Sequence, residues 1–142
     1  MAGLREGILA LGLALAGPAQ ASTVVAVDPG FAPVARALLG LFADRTGHAD
    51  VVLAVAPPAA LATLPAAVLL AADADLPAQL AETGLAAADT LMTYATDPVA
   101  AGPRDAVLLR PGLADPVARA FLAFLLTPEA WDVIVAHGFG AH

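Results

Sequence analysis

Residues 115–131 have the sequence DPVARAFLAFLLTPEAW, which predicts two consecutive helices with clear start signals. Asp115 can accept hydrogen bonds from the first N–H groups of a helix. Pro116 suits the first helical position, because its missing N–H would have no partner there. The pair at 127–128, Thr-Pro, repeats this arrangement. The sequence therefore predicts short helices that start at residues 116 and 128.

The second of these helices also has a stop signal and an apolar side. His137 falls in its last turn, where a cation favours the helix dipole, and Gly138 can adopt the left-handed conformation that ends many helices. Trp131, Ile134 and Val135 lie together at helical spacing. We expect this side to be core, so that replacing Trp131 by alanine costs about 3–5 kcal/mol and broadens or abolishes the thermal transition.

Apolar runs alternate with helical patterns through the rest of the chain. Predicted strands cover residues 23–27, 51–55, 68–71, 91–95 and 106–109, and the earlier predicted helices cover 31–46, 59–64 and 73–83. Strands that are apolar throughout, such as VVLAV at 51–55, are typical of buried strands in parallel sheets. We therefore expect an α/β fold with a mostly parallel sheet and helices on both faces.

Residues 1–21 have the pattern of a cleavable signal peptide. A short basic start precedes an apolar stretch at 8–16, and Ala-Gln-Ala at 19–21 forms a small-residue cleavage site. The apolar stretch is too short to span a bilayer. We expect cleavage after Ala21 and export to the periplasm of a chain that starts at Ser22; an uncleaved N-terminal anchor is the alternative.

The composition indicates a small acidic domain. Residues 22–142 have the length of one domain. The chain has a net charge of −7 and no lysine or cysteine, and only 13% of its residues are charged, against a usual value of about 25%. This acidity argues against nucleic acid and anionic membrane surfaces as partners. Without cysteine, no disulfide constrains the fold.

The sequence contains no pattern typical of an enzyme, a metal site or a cofactor site. The histidines show no metal-binding spacing; they are His48, His137 and His142. Asp73 and Asp75 flank a predicted helix start, where capping is favoured over general acid–base chemistry. Ser22, the only serine, has no histidine near it, which argues against hydrolase chemistry. We expect no enzyme activity, no catalytic residues, no metal and no cofactor.

Several runs of the sequence match, in order, those of a known family. They are FADRTG at 42–47, APPAALA at 56–62, AVLLAAD at 67–73, GL at 84–85 and the closing helices with their final Gly-Phe. Together they resemble the periplasmic molybdate-binding proteins of ABC transporters, which are type II periplasmic solute-binding proteins. The resemblance implies a periplasmic location, a solute-binding fold and an ABC permease as partner.

Members of that family have two α/β lobes, and the second is inserted between two strands that cross from lobe to lobe. Here residues 96–104 alone join the corresponding strands. The resemblance therefore implies one lobe over residues 22–142, truncated relative to the family. Its two parts are residues 22–95 and 105–142.

The family binds a tetrahedral oxyanion with serine hydroxyls and with backbone N–H groups at helix starts, where the helix dipole favours an anion. The corresponding positions here lack a hydroxyl; they are Gly30, Pro57-Pro58 and Ala71. Asp28 adds a carboxylate where the anion would lie. The remaining donors implied by the resemblance are the backbone N–H groups of Gly30, Ala59 and Ala72. We therefore expect a degraded site and no tight oxyanion binding.

Two functions from different classes follow from these observations. One is a truncated solute-binding component related to molybdate or tungstate import, and the alternative is a periplasmic interaction or accessory module that uses the former inter-lobe surface. A gene remnant without a role is a third interpretation. We also expect a homo-oligomer, because that surface is apolar and strand edges near Tyr94 and Leu108 have lost their continuation.

Overall fold

The computed structural model describes residues 22–140, and each predicted strand and helix has a counterpart in it. The strands are β1 (Thr23–Val27), β2 (Val51–Val55), β3 (Val68–Leu70), β4 (Met92–Thr96) and β5 (Pro103–Leu108). The helices are α1 (Ala32–Thr46), α2 (Pro58–Leu61), α3 (Asp75–Glu82), α4 (Pro116–Phe124) and α5 (Pro128–Ala136), with 3-10 turns at Ala88–Thr90 and Arg110–Gly112. The predicted signal peptide and His142 lie outside the described residues. Among residues 22–140, no helix combines the length and the hydropathy that a membrane span requires.

All five strands form one sheet in the order β2-β1-β3-β5-β4. β1 pairs in parallel with β2 and β3, whereas β5 runs antiparallel to both of its neighbours, so four strands point the same way. Val27 lies opposite both Val55 and Leu70. β1, β2 and β3 therefore finish together, at what we call the carboxyl end of the sheet. The predicted α/β fold with a mostly parallel sheet is confirmed.

Apolar layers cover both faces of the sheet. On one face, Phe42 of α1, Phe121 of α4 and Ile134 of α5 belong to a buried cluster with residues of β1, β3, β4 and β5. On the other face, Leu61 of α2 and Leu80 of α3 pack with the alternate strand residues. Because side chains alternate along a strand, the apolar strands supply both layers.

β2 is an edge strand, so the prediction that residues 51–55 form a buried strand was wrong. Chain order does not give the sheet order here, because β3 pairs with β1 on the side away from β2. Val52 is 45% exposed and Val55 is 42% exposed, although the run is apolar throughout. The apolar pattern predicted the strand correctly, but the position at the edge leaves these side chains half exposed.

The start and stop signals of the last two helices are confirmed. Asp115 Oδ1 accepts the N–H of Val117 at 2.9 Å, and Thr127 Oγ1 accepts that of Ala130 at 3.3 Å. Gly138 has a φ of 92°, which is the left-handed conformation expected after α5. The starts of α4 and α5 and the end of α5 were thus readable from single residues.

Trp131 lies at the surface, and the prediction of its core position was wrong. α5 buries Ala130 and Ile134 completely, whereas Trp131 is 36% exposed and Val135 is 53% exposed. Residues spaced by four form a stripe along a helix, and adjacent stripes are about 100° apart. Ile134 is core as expected, whereas Trp131 and Val135 lie on the neighbouring, exposed stripe. The fully buried aromatic side chain of this region is Phe121.

The expected unpaired edge near Leu108 was also wrong. Leu108 lies in β5, which pairs with β3 on one side and with β4 on the other. Tyr94 in β4 is fully buried. Thr96 and Gly140 exchange backbone hydrogen bonds of 2.9 Å in both directions. The segment after α5 therefore folds back along β4 and covers part of its outer side.

Candidate functional site

The three backbone donors expected from the sequence all follow strands that finish at the carboxyl end of the sheet. Gly30 lies between β1 and α1, Ala59 lies in α2, and Ala72 lies between β3 and α3. The parallel pairing of β1 with β2 and β3 brings these connections to the same end of the sheet. In open α/β sheets this is the end at which ligands bind.

A carboxylate lies directly against Gly30. Asp28 is only 6% exposed, and a Cβ placed on Gly30 would lie 3.1 Å from Oδ2 of Asp28. An oxyanion that approached the N–H of Gly30 would meet this carboxylate, and the two charges would repel each other. The side chain of Asp28 therefore disfavours an anion at the first of the three positions.

The connection that contains Ala59 offers only a short helix. α2 is a single turn of four residues, and its N-cap residue, Pro57, makes no side-chain cap. Pro58 at the first helical position has no N–H to donate. One turn aligns few peptide dipoles, so the positive potential at the start of α2 is small.

The connection that contains Ala72 is followed by a carboxylate cap. Asp73 Oδ1 accepts the N–H groups of Asp75 at 3.1 Å and Leu76 at 3.2 Å. Asp73 therefore acts as the capping residue predicted from the sequence. These N–H groups at the start of α3 are the kind that an anion uses, and here the chain's own carboxylate accepts them.

A buried arginine spans the carboxyl end of the sheet and pairs with Asp28. Arg104 of β5 is 2% exposed, and its Nη2 contacts Asp28 Oδ1. Its Nε donates to the Tyr94 hydroxyl oxygen at 3.0 Å, and its Nη1 lies 3.4 Å from Asp97 Oδ2. The Tyr94 hydroxyl donates in turn to the carbonyl oxygen of Ala71 at 2.9 Å. We call the side chains of Asp28, Tyr94, Asp97 and Arg104 the Arg104 network.

Aromatic rings surround the guanidinium group of this network. Arg104 Cζ lies 4.9 Å from the ring centroid of Phe31, 5.4 Å from that of Phe139 and 5.8 Å from that of Tyr94. The Phe31 ring meets Tyr94 and Phe139 edge-to-face, with centroids 5.0 Å apart in both contacts. The rings shield the ion pair from solvent and add cation–π attraction. Phe139, from the Gly-Phe pair after α5, thus forms one wall around the network.

Burial and neighbouring charges shift the ionisation of the network. Burial raises the pKa of Tyr94 well above its usual range, so its hydroxyl stays protonated. Burial alone would lower the pKa of Arg104, but the contacts with Tyr94 and Asp28 raise it. Backbone N–H groups of the turn after β4 lower the pKa of Asp97, and Arg104 lowers it further.

The Arg104 network is suited to hold the chain together and poorly suited to bind a free anion. It contains one guanidinium and two carboxylates, and its cation already contacts both carboxylates. An incoming oxyanion would have to displace Asp28 from Arg104. That displacement would leave Asp28 as an unpaired carboxylate in a buried position, which is strongly unfavourable.

Arg104, Tyr94 and Phe31 were not recognised from the sequence as residues of this site. Arg104 was expected in the connection between the crossing strands, whereas it lies inside β5. The contact with Asp28 also joins residues 76 positions apart, which no local pattern reports. One signal was available, because an arginine beside an apolar strand needs an opposite charge if it is buried.

The two histidines within residues 22–140 make contacts inside the fold. His137 Nδ1 lies 2.8 Å from the carbonyl oxygen of Val133 at the end of α5. His48 stacks on Phe42 with ring centroids 5.8 Å apart. No group of three histidine, aspartate or glutamate side chains within residues 22–140 could hold a metal ion.

Two concave surfaces lie away from the carboxyl end of the sheet. The larger, of about 270 Å³, lies between the start of β4 and α4 and is lined partly by Leu91, Met92 and Leu126. The smaller, of about 150 Å³, is lined partly by Leu85 and Leu109. None of the three expected donors lines either surface.

Two solved binding proteins have the same fold as this chain. The periplasmic molybdate-binding protein of Azotobacter vinelandii superposes with a TM-score of 0.75 over 85% of this chain and 100% of its own, at 16% identity. The substrate-binding domain assigned to a molybdenum ABC transporter of Clostridium difficile superposes with a TM-score of 0.75 over 85% of this chain and 99% of its own, at 8% identity. The chain has the fold of molybdate-binding proteins.

This likeness confirms the fold that the sequence resemblance implied. No protein-family model matches the chain, and no curated protein matches its sequence. At 16% and 8% identity, the two structural neighbours establish the fold alone.

Proposed function

We propose that this protein is a periplasmic, single-lobe relative of molybdate-binding proteins that works with an ABC permease without carrying an oxyanion itself. The observation behind the proposal is the buried contact between Arg104 and Asp28 at the carboxyl end of the sheet. The Azotobacter neighbour is named as a molybdate-binding protein. The sequence resemblance implies that the oxyanion site of such proteins would lie at this end, and in our proposal the chain's own ion pair takes that place.

The charged side chains beside the expected donors support a degraded oxyanion site. Asp28 lies against Gly30, and Asp73 accepts N–H groups beside Ala72. An oxyanion would therefore meet an internal carboxylate next to two of the three expected donors. The only cation of the network, Arg104, is already engaged by Asp28 and Asp97.

The short connection between β4 and β5 supports the loss of a second lobe. Residues 97–102 form a closed turn, in which the N–H of Asp97 donates to the carbonyl oxygen of Gly102 at 2.9 Å. Asp97 Oδ1 also accepts the N–H groups of Val99 and Ala100. A single open lobe leaves a bound anion hydrated on one side. Each remaining hydrogen bond then contributes only about 0.5–1.5 kcal/mol, or somewhat more because the anion is charged.

A second candidate function is an accessory module that binds another periplasmic protein through the carboxyl end of the sheet. Exposed residues at this end favour it, because Gly30, Pro57, Pro58 and Ala59 present small or apolar groups to solvent. The intact Arg104 network supports a folded product with a role over a gene remnant. Both candidates place the protein in the periplasm, where the predicted signal peptide would direct it.

Calorimetric titration of the purified protein with molybdate, tungstate and sulfate tests the first proposal. We expect no binding of submicromolar affinity for any of the three anions. A two-lobed molybdate-binding protein, titrated in the same buffer, shows that the assay detects binding. Submicromolar affinity of this protein for molybdate or tungstate would refute the proposal.

Site-specific crosslinking in the periplasm tests the second candidate. Ala59 is exposed at the carboxyl end of the sheet, whereas Ala88 is exposed next to the opposite end, where Ala87 donates its N–H to Leu108. A photoreactive residue at position 59 should yield an adduct with a permease subunit or another periplasmic protein, and one at position 88 should not. Equal adducts from both positions would argue against an interaction through the carboxyl end.

A further inference from the structure

The outer side of β2 carries backbone groups that no described strand pairs with. The N–H of Ala56 donates to the carbonyl oxygen of Val27 at 3.1 Å. Because backbone groups alternate along a strand, those of Val52 and Ala54 also point towards β1. The groups that point away from β1 belong to Val51, Leu53 and Val55. Within residues 22–140, β2 has β1 as its one neighbour in the sheet.

β2 also lacks the features that usually protect an edge strand. Proteins block such edges with charged residues, proline, bulges or a covering segment. The run VVLAV contains neither charge nor proline, and its register with β1 is regular over all five residues. Val52 and Val55 are half exposed. The edge is therefore regular, apolar and open to another strand.

A second copy of the same strand fits this edge. If two β2 strands run antiparallel and are centred on Leu53, Leu53 faces its own copy. Val51 of each chain then faces Val55 of the other. All three outward residues fall at hydrogen-bonded positions, where each facing pair exchanges two hydrogen bonds. The edge is self-complementary about a two-fold axis, as a symmetric dimer requires.

The charges near β2 are compatible with this register. Asp50 is the charged residue that directly precedes β2, and it would lie opposite Ala56 of the other chain. The two Asp50 carboxylates would then lie at opposite ends of the paired strands, so that no like charges face each other. The net charge of −7 on each chain opposes association at long range, and added salt screens that repulsion.

We propose that two copies of this chain form a dimer through their β2 strands, which joins two five-stranded sheets into one continuous sheet. This surface differs from the former inter-lobe surface and from the strand edges at which an oligomer was expected from the sequence. The proposal does not depend on whether the protein binds an oxyanion.

Sedimentation of the purified protein from micromolar to millimolar concentration, combined with amide hydrogen exchange by NMR, tests the dimer. We expect a monomer–dimer equilibrium that salt shifts towards the dimer. The N–H groups of Leu53 and Val55 should gain protection as the concentration rises, whereas those of Val52 and Ala54 should be protected at every concentration. A monomer throughout, or a dimer in which Leu53 and Val55 exchange freely, would overturn the proposal.

Two substitutions at one exposed position separate the backbone contribution from the side chain. Val55→Pro removes an outward N–H and leaves the hydrogen bonds to β1 in place, so dimerisation should weaken about tenfold or more. Val55→Thr keeps that N–H and the β-branched shape, and it should change dimerisation less than about threefold. Circular dichroism checks that both variants fold, and Val51→Pro at the first strand residue replaces Val55→Pro if that variant does not. Equal effects of the proline and threonine variants would also overturn the proposal.

Discussion

The parallel half of the sheet (β1, β2 and β3) and the antiparallel hairpin (β4 and β5) depend on different interactions. In the parallel half, fully buried apolar residues such as Val25 and Leu69 pack against helices on both faces. The hairpin contains buried or half-buried polar pairs, such as Arg104 with Tyr94, and Thr93 Oγ1 donating to Asp105 Oδ1 at 2.7 Å. Hydrophobic burial thus accounts for the first half. The hairpin shares that core and adds polar contacts, of which Arg104 with Asp28 and Tyr94 with Ala71 reach the first half.

The largest loss of stability should come from breaking the contact between Arg104 and Asp28, which joins the hairpin to the parallel half. Arg104→Ala removes the cation from a buried pair and leaves Asp28 without a partner, which typically costs about 3–5 kcal/mol of unfolding free energy. Urea denaturation measures this loss. Arg36→Ala is the matched control, because Arg36 is exposed on α1 and should change stability by less than about 0.5 kcal/mol. If both variants lose the same amount, the Arg104 network does not stabilise the fold.

An apolar truncation in the parallel half should have a comparable or slightly smaller effect. Leu69 is fully buried in β3, and Leu69→Ala should cost about 2–5 kcal/mol, since it removes apolar contacts and leaves a cavity. Val52→Ala on the half-exposed edge strand should cost less than about 1 kcal/mol. Urea denaturation compares the unfolding free energies of the two variants. A larger loss for Val52→Ala would contradict the position of β2 at the edge.

The smallest effect should be the loss, at low pH, of the stability that Asp97 contributes. The pKa of Asp97 is lowered in the folded protein by backbone N–H groups and by Arg104, so its contribution to stability is present above its unfolded-state pKa. That contribution is lost as the pH falls through the lowered pKa. Asp97→Asn can still accept the backbone hydrogen bonds but cannot titrate. We expect the difference in Tm between the wild type and Asp97→Asn to shrink as the pH falls below about 4; a constant difference would contradict the shift.

The sequence predicted the positions of strands and helices well, because their determinants are local. A strand was expected at 51–55 from its apolar run and is present, and Asp115 and Gly138 marked helix ends correctly. The sheet order was not predictable in the same way. Whether β2 or β3 lies outermost depends on long-range packing, so β2 was wrongly expected to be buried.

The candidate site was predicted only in part. Residues Gly30, Ala59 and Ala72 do follow strands that finish at the same end of the sheet. Their expected role as remaining donors stays a prediction. Arg104 was missed because its partner, Asp28, is close in space but remote in sequence. Trp131 was misplaced because helical periodicity gives adjacent stripes and does not say which one faces the core.

A double-mutant cycle between Asp28 and Arg104 tests most directly whether this pair closes the carboxyl end of the sheet. Unfolding free energies are measured for the wild type, Asp28→Ala, Arg104→Ala and the double variant. We predict a coupling of about 1–3 kcal/mol, because the double variant leaves neither charge buried alone. Additivity of the two single losses within about 0.3–0.5 kcal/mol would contradict the account.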